Sequence, residues 1–568
     1  MGKTYVASEQ TQSEIRDLAA SIDSKMGKST GGGIMPHISL SAPTGSTVKI
    51  TNGNTILTPE ENDGVWEQDV PHFGTWNVCI EKDGENPVSK DVEVNALSGY
   101  AISLSFFAAT IVVETPIGTV VTVSGNGNTQ TATNTTGTNS FTVNASGYYT
   151  VSCNRSGNIK EENVAVSEKK TYTVSVKGLV RYGYRKKKSE GAPSTRVEYL
   201  FDAADMTPAA MDFSTGLFSY GSWGDKWFVT GNKPLMLKSD GTVDYYLDPN
   251  DYTKKEDGSA SDVSNTNYDG NAMAQFPLVY FYRYQDDTYE YEIVSDGPYD
   301  ENYKAYAHTR ADGTIADYFY RSCFGASGSA SKLRSLKGQA LAQSLTTDNQ
   351  IAGATANNTN GSSWYIDTWS QREYIRTLLV LMGKSTNTQA VFGNGNCQSA
   401  SSASALLTTG TLSDKGQFFG YNTNNQQVKV FHIEGFWGDQ WMRTAGIINN
   451  KGPIYYKMTP EGDGYRVTDV TGYSNSGITL SGTSGGYVSA TKCGEFGCIP
   501  TTISGSDSTY ECDGSWFNNS QLDYLFAGAG ADNAPGFGGA FAFLVNLAPS
   551  YANWTIGCGL SCEQPVAA

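Results

Sequence analysis

An internal repeat constrains this chain more than any other feature. Ala42-Pro43-Thr44-Gly45 realigns with Thr115-Pro116-Ile117-Gly118, and Phe73-Gly74-Thr75-Trp76-Asn77-Val78 with Ser146-Gly147-Tyr148-Tyr149-Thr150-Val151. Val92-Glu93-Val94 falls on Val164-Ala165-Val166, and Tyr100 on Tyr172. The offset is 73 and falls to 72. Within each copy, apolar and polar residues alternate in short runs (Val48, Ile50; Phe141, Val143; Val174, Val176) bounded by Gly, Asn and Pro. Alternation of this kind marks half-buried strands, and turn residues at such spacing mark a small antiparallel sandwich. Two tandem Ig-like β-sandwich modules are expected, 34–106 and 107–178, acting as spacers without a ligand of their own.

The repeat leaves two other regions. Residues 1–33 read as a helix at 8–26, with Ile15, Leu18 and Ile22 at 3-4 spacing, followed by a Gly-rich hinge. Two heptads are marginal alone, so oligomerisation and a surface helix stay open as its role. The N-terminus lacks a hydrophobic signal core, which predicts no Sec export. Residues 179–568 form one large, turn-rich block. Its clearest element is a helix opened by a capping box at Thr368 and Gln371. Tyr374, Ile375, Leu378, Leu379 and Met382 form its apolar face, and Gly383 is the expected stop. Gly221-Ser222-Trp223-Gly224-Asp225-Lys226-Trp227 is echoed by Gly435-Phe436-Trp437-Gly438-Asp439-Gln440-Trp441, and these tryptophans are expected as paired core anchors on strands. The basic run Arg181–Lys188 reads as a solvated linker.

Composition excludes several functions. Lys and Arg total 40 against 57 Asp and Glu, a net charge of −17, so the basic footprint that nucleic acid needs is missing. Only 17% of residues are charged, yet 39% are hydrophobic, which supports cores rather than disorder. No run of 18 apolar residues exists, so no membrane-spanning helix is expected. Nine scattered cysteines without a CxxC predict mostly reduced, buried thiols, Cys493 and Cys498 included. Cys558 and Cys562, four apart in a presumed strand, should lie about 13 Å apart at about 3.3 Å per residue, beyond the roughly 7 Å a bridge allows. His37, His72, His308 and His432 are isolated, so no metal or other cofactor is expected. Met-Gly-Lys-Ser-Thr occurs at 26–30 and 382–386, but Ile22 and Leu378 stand where a phosphate loop needs Gly. The acidic clusters Asp286-Asp287 and Asp300-Glu301 read as solvated loops, and a glycosidase pair drawn from distant positions stays open.

The last fifty residues carry the most information. Cys512-Asp513-Gly514-Ser515-Trp516-Phe517-Asn518-Asn519-Ser520 precedes a stretch in which Gly, Ala, Pro and Leu are interleaved with chemically arbitrary residues. Gly and Ala permit tight turns and close packing, and interleaved side chains can project from one scaffold face. A closing hairpin of the core would show the same pattern.

The tail, from Gly538-Gly539-Ala540 through Asn546-Leu547-Ala548-Pro549-Ser550 and Asn553-Trp554-Thr555-Ile556-Gly557-Cys558-Gly559-Leu560-Ser561-Cys562, resembles the variable region of proteins diversified by retroelements. Ser370–Val391, the WGDxW segment and Ser484–Ala490 resemble tail-fibre receptor-binding proteins of bacteriophages. The resemblance implies a fold that is mostly β with some α: Ig-like modules followed by a C-type-lectin-like α+β domain at 179–568, with a variable region at 514–562. It implies a scaffold of Gly528, Gly530, Gly539, Phe541, Ala548, Pro549, Ser550, Ile556, Gly557, Leu560 and Ser561. It implies receptor contacts from Trp516, Phe517, Asn518, Ala531, Asp532, Asn533, Phe537, Ala540, Ala542, Phe543, Val545, Leu547, Tyr551, Asn553 and Thr555. Phe537, Phe543, Tyr551, Asn553 and Thr555 are expected together on one exposed patch. The implied role is a non-enzymatic adhesin at the distal phage tail. Its expected partners are a bacterial surface receptor, protein or glycan, other tail proteins at the N-terminus, and two further copies in a homotrimer. The alternatives are a tailspike depolymerase, a sulfatase-modifying type of enzyme using Cys493 and Cys498, and a secreted bacterial adhesin.

Overall fold

The computed structural model describes residues 35–104, 106–459, 467–482 and 484–565, so the helix expected at 8–26 and its hinge lie outside the described residues. The chain divides into two compact units between Val176 and Lys177. The architecture is mostly β.

In the first unit, strand alternation builds two sandwiches. One sheet of the first sandwich runs Glu61–Asn62, Val65–Asp69, His37–Ser41, Gly99–Ser103; the other runs Thr55–Leu57, Thr47–Asn52, Gly74–Glu81, Val88–Val94. Ile38, Leu40, Val48, Ile50, Trp66 and Trp76 point inward and are buried together. The second sandwich pairs Thr138–Val143, Ala109–Glu114 and Thr171–Ser175 against Asn128–Thr133, Val120–Gly125, Gly147–Arg155 and Asn158–Val166. In both, the first strand pairs in parallel with the last.

The repeat is written in hydrogen bonds as well as in strands. Ser46 Oγ donates to Pro43 O, and Thr119 Oγ1 to Pro116 O. Trp76 Nε1 donates to the carbonyl four residues upstream, at His72, and Tyr149 Oη to the one at Ala145. The hydroxyl of Tyr100 accepts from the N–H groups of Asn95 and Ala96, and that of Tyr172 from Ser167 and Glu168. A tyrosine closing a strand corner onto its own upstream backbone is a recurrent device of Ig-type sandwiches.

The second unit is organised around the helix Trp369–Gly383. A seven-stranded sheet runs Asp251–Lys255, Val243–Asp248, Lys233–Lys238, Gly270–Pro277, Tyr318–Ser322, Leu560–Glu563, Trp364–Ile366. A second large sheet runs Ser474–Thr479, Pro453–Tyr456, Trp441–Asn450, Leu522–Ala527, Phe543–Leu547, Gly514–Phe517, Ser484–Tyr487, with Ile556–Gly557 beside Trp441 and Met442. A four-stranded sheet runs Val197–Phe201, Tyr182–Lys187, Tyr289–Ser295, Tyr280–Gln285.

Thr368 caps the central helix as expected, accepting from Gln371 N at 3.4 Å. The reciprocal half of the capping box is not made, because the Gln371 side chain turns to Ser561 Oγ and Tyr365 Oη instead. The stop also differs. Gly383 stays helical, and Lys384 takes the left-handed conformation at φ 49°. Glycine at 383 serves packing, since a Cβ there would lie 2.9 Å from Val391 Cγ1. The expected apolar face is buried, and so is the rest: Arg372, Glu373, Arg376 and Thr377 lie in the interior with it.

Three further expectations are corrected. The basic run is no linker but the strand Tyr182–Lys187, with Lys186 wholly buried between Glu290 at 2.9 Å and Glu511 at 3.1 Å. The tryptophans Trp223 and Trp437 are buried anchors outside any strand, the half-buried Trp227 opens the short helix Trp227–Thr230, and only Trp441 opens a strand. Cys493 and Cys498 are a disulfide. The hairpin Ala490–Gly494/Gly497–Thr502 places them directly opposite one another, with Cα atoms 4.1 Å apart. Cys558 and Cys562 are free and buried.

Glu292, Glu373 and Arg376 satisfy one another around the helix, whereas the buried Arg372 bonds only Phe436 O and has no carboxylate partner among the described residues. Arg376 bonds both carboxylate oxygens of Glu292 and of Glu373, and Arg283 bonds Glu292, Glu373 O and Thr377. These cations hold the Glu292 carboxyl well below its ordinary range despite a burial that pushes it up. Removing one partner from such a pair strands the others. Glu292→Ala is therefore expected to destabilise the second unit by about 3–5 kcal/mol, read as a lowered midpoint in chemical denaturation of the full chain.

Candidate functional site

The C-terminal segment enters the core before it reaches the surface. Phe543–Leu547 lies between Leu522–Ala527 and the parallel strand Gly514–Phe517, and is therefore a central strand with both faces covered. On one face Phe517, Phe543 and Val545 pack with Trp369, Ile447, Leu525 and Phe496. The Phe543 ring meets Trp369 edge-on at 5.8 Å. On the other face Leu544, Tyr524 and Phe526 join Trp441, Phe537 and Ala542, with Trp516, Leu547, Tyr551 and Tyr487 partly buried at the margin.

Glycine makes this aromatic stack possible. The Phe537 ring lies 4.0 Å from that of Trp516 and 5.2 Å from Tyr487, and Trp516 meets Trp441 at 5.9 Å. A Cβ on Gly514 would sit 1.6 Å from the Phe537 ring, and one on Gly485 would sit 1.8 Å from Trp516 Nε1. Trp441, expected as a core anchor, and Tyr487 are not among the expected receptor contacts; for Tyr487 the signal is Gly485 and Gly486 beside a lone aromatic in a strand.

The expected exposed patch is corrected accordingly. Phe537 is 7% exposed, Phe543 2% and Thr555 8%, so none of the three is available to a macromolecular ligand. Phe517, Ala531, Ala540, Ala542 and Val545 are buried too. For Phe543 and Val545 the reason is that a central strand buries both sets of its alternating side chains, and for Phe537 and Ala542 it is that their loop folds into the core beside Trp441 and Phe526. What reaches solvent is Asp532, exposed, with Trp516, Asn518, Asn533, Leu547, Tyr551 and Asn553 half-buried. Asn533 Oδ1 accepts from Gly530 N, and Asn553 Oδ1 from Thr555 N, so both amides also shape their loops. Asn553 Nδ2 donates to Tyr551 Oη at 3.2 Å. Trp441 ties the loops together, donating its N–H to Thr555 O at 2.8 Å and packing its ring against Gly530.

Among the expected scaffold positions Gly539 and Gly528 are sterically fixed, whereas Ala548 and Pro549 are half-buried and Ser550 is exposed. Gly539 has φ 153°, and a Cβ there would lie 2.0 Å from Asp513 Oδ1. Asp513 is buried, its carboxyl is pushed well up by desolvation, and its Oδ2 accepts from Phe541 N at 2.7 Å. Gly528 has φ 92° and would meet Phe436 O at 2.7 Å. Two of the carboxylates flagged in the sequence, Asp286 and Asp300, close turns. Asp286 accepts from Thr288 N, Tyr289 N and Tyr291 Oη, bonds that hold its carboxyl low, and Asp300 accepts from Asn302. One group of potential metal ligands occurs among the described residues, Glu292 with Cys493 and Cys498, and there the sulfurs are committed to the disulfide and the carboxylate to Arg376. No described helix is long and apolar enough to cross a membrane.

No family model matches the chain, and no curated protein does. Among solved structures it is similar to the Bacillus anthracis TIE protein, at 11% identity and a TM-score of 0.13, over 43% of this chain and 44% of that one. The chain thus spans under half of that protein's length, and a likeness this slight carries neither fold nor function.

Two outcomes follow from the geometry. Phe543→Ala should cost about 3–5 kcal/mol of stability, as emptied aromatic core sites do, and Gly539→Val should prevent a native melt, whereas Asp532→Ala should shift stability by under about 0.5 kcal/mol; thermal melting of the three variants checks this. The second concerns Asp523, whose Oδ1 accepts from Gln521 while its buried Oδ2 has no partner among the described residues, so that burial raises its carboxyl to about 6. The folded state then holds a proton that the unfolded chain releases near 3.9, and stability falls as pH rises through that window. Asp523→Asn should melt above the wild type at pH 7, and the gap should close below about pH 4.

Proposed function

We propose that this chain is a phage tail-fibre adhesin whose C-terminal domain binds a bacterial surface ligand and catalyses no reaction. One observation carries the reading: the C-terminal segment is divided between a locked scaffold and an accessible rim. Gly514, Gly528 and Gly539 admit no side chain, and the aromatic residues between them fill the core. The loops joining these strands bring Asp532, Asn533, Tyr551 and Asn553 to solvent, beside Trp516 and Leu547 on the strands themselves. Half-buried aromatics mixed with amides give large rigid contact area and adaptable hydrogen bonds at low entropic cost.

The lectin-like part of the reading is supported by chain closure. Leu560–Glu563, near the C-terminus, pairs antiparallel with Trp364–Ile366, which leads into the central helix. Residues 364–563 therefore form one closed loop with both ends side by side. The two sandwiches fit a spacer, the N-terminal residues a tail attachment, and a homotrimer supplies avidity to tips of modest affinity.

The test is adsorption of the purified full chain to a panel of bacterial cells, with Tyr551→Ala and Asp532→Arg as variants. Tyr551→Ala is expected to lower adsorption about 5- to 30-fold, the loss of an anchor worth about 1–2 kcal/mol, while the protein still unfolds in one cooperative melt. Adsorption to none of the cells, or equal adsorption by both variants, would remove the receptor face from this rim. Release of reducing ends from surface polysaccharide would favour the alternative, a depolymerase.

A further inference from the structure

The four-stranded sheet places a lysine and two glutamates in one dry cluster. Lys186, on the strand Tyr182–Lys187, stands directly opposite Glu290 on the antiparallel strand Tyr289–Ser295, so both side chains leave the same face. Glu511 reaches them from the segment that precedes the strand Gly514–Phe517. Lys186 and Glu511 are wholly buried, Arg196 is 1% exposed and Glu290 2%. Lys186 Nζ donates to Glu511 Oε1 at 3.1 Å and lies 2.9 Å from Glu290 Oε2, with the ring of Phe541 at 4.8 Å.

The two carboxylates are held differently. Glu290 Oε1 accepts from the Thr491 hydroxyl at 2.7 Å, while its Oε2, although close to Nζ, is not aligned with it as a hydrogen bond. A C–O bond of about 1.2 Å then bounds the Glu290 carboxyl carbon to within about 4 Å of Nζ, near the roughly 3–3.5 Å of reacting atoms poised for attack. Glu511 Oε1 is shared between Lys186 and Arg196, the latter at 3.2 Å, and its Oε2 has no hydrogen-bond partner among the described residues. Burial pushes the Lys186 ammonium down, and the carboxylates of Glu290 and Glu511 raise it above its ordinary value. A proton leaving it therefore passes to a carboxylate of the cluster and not to water.

We propose that Lys186 and Glu290 condense in the folded chain to an intramolecular amide, with Glu511 carrying the protons and Thr491 holding the developing oxyanion. Glu511 takes one proton from the ammonium and passes it to Glu290 Oε2. The freed amine attacks the Glu290 carboxyl carbon, a C–N bond forms, and negative charge gathers on Oε1 beside the Thr491 hydroxyl. Glu511 then moves a second proton from the nitrogen to Oε2, the C–O bond breaks, and one water leaves. No oxidant or reductant takes part. The reaction removes one cation and one anion from a medium in which each is costly, and it leaves Arg196 paired with Glu511. Amine and carboxyl held in contact reach an effective concentration on the order of 10⁵–10⁸ M. Arg376 and Arg283, beside Glu292, have no such route, because a guanidinium keeps its proton. The chain enters the second unit at Lys177, and Tyr182–Lys187 is the first strand it forms there. A pull along the chain from the sandwiches reaches this strand first, and the amide holds it after its hydrogen bonds give way.

The experiment is mass spectrometry of the purified full chain, reduced and denatured. The wild type is expected to be lighter than its sequence by one water, and digestion is expected to release a branched peptide joining residues 186 and 290. Lys186→Arg keeps the charge but cannot be acylated, and it should recover the full mass. A wild type at full mass, a water lost equally from Lys186→Arg, or a branch through Glu511 or Thr491 overturns the proposal. The wild-type peptide map decides the matter even where Lys186→Arg fails to fold. The amide does not depend on the adhesin reading: adsorption to cells by an unlinked wild type removes the amide and leaves the adhesin standing.

Discussion

The second unit depends on the charges buried along one helix. Arg376 lies between Glu292, on the strand Tyr289–Ser295, and Glu373, one helical turn away on its own helix. Arg283 and Tyr184 bring the strands on either side of Glu292 into the same network. Glu373 also accepts from Cys498 N, so the disulfide hairpin is registered against the same carboxylate. Each of these ions would be costly alone; together they fix one arrangement of helix, four-stranded sheet and hairpin, because any slip leaves a charge unpaired in a medium of low polarity. Arg321 and Asp367 do the same on the other side, joining the seven-stranded sheet to the residue before the helix cap.

From this centre the aromatic layers follow. Tyr374 donates to Pro277 O and packs edge-on against Phe276, Phe281 and Phe319. Trp369, at the first position of the helix, carries the contact onward to Phe543 and so to the C-terminal segment. The rim that faces solvent is thus two layers removed from the ion network but joined to it through rigid rings. A surface held in this way keeps its shape when its outermost side chains are exchanged.

Much of the fold was legible, and the misses share a physical cause. Period-two alternation and turn residues announced the sandwiches, and Thr368 with five apolar positions announced the helix. The charges of that helix misled, because Arg and Glu ordinarily mark a solvated face, and only tertiary pairing shows that Arg372, Glu373 and Arg376 are interior. Lys186 misled for the same reason. Cys493 and Cys498 carried a readable signal: each is followed or preceded by Gly around a two-residue tip, the pattern of a hairpin that sets them face to face. Phe543 was misplaced because a Gly-rich stretch reads as loop, whereas here glycine makes room for rings.

The division of the C-terminal segment limits where variation can be absorbed. At Phe537, Phe543 or Val545 an exchange changes packed volume, and core changes of that kind cost about 1–5 kcal/mol against a total stability of about 5–15 kcal/mol. A few such changes together would exhaust the margin. At Asp532 an exchange alters a group that already meets water, where shifts stay within about 0.5 kcal/mol; at Asn533 and Asn553 it also removes one loop hydrogen bond and at Tyr551 a partial packing contact, while the backbone beneath is fixed by Trp441, Gly530 and Thr555. If this segment is diversified as its resemblance implies, the physical cost of substitution directs functional variation to these loop positions. The buried positions of the same stretch then act as a filter that accepts only apolar residues of similar size.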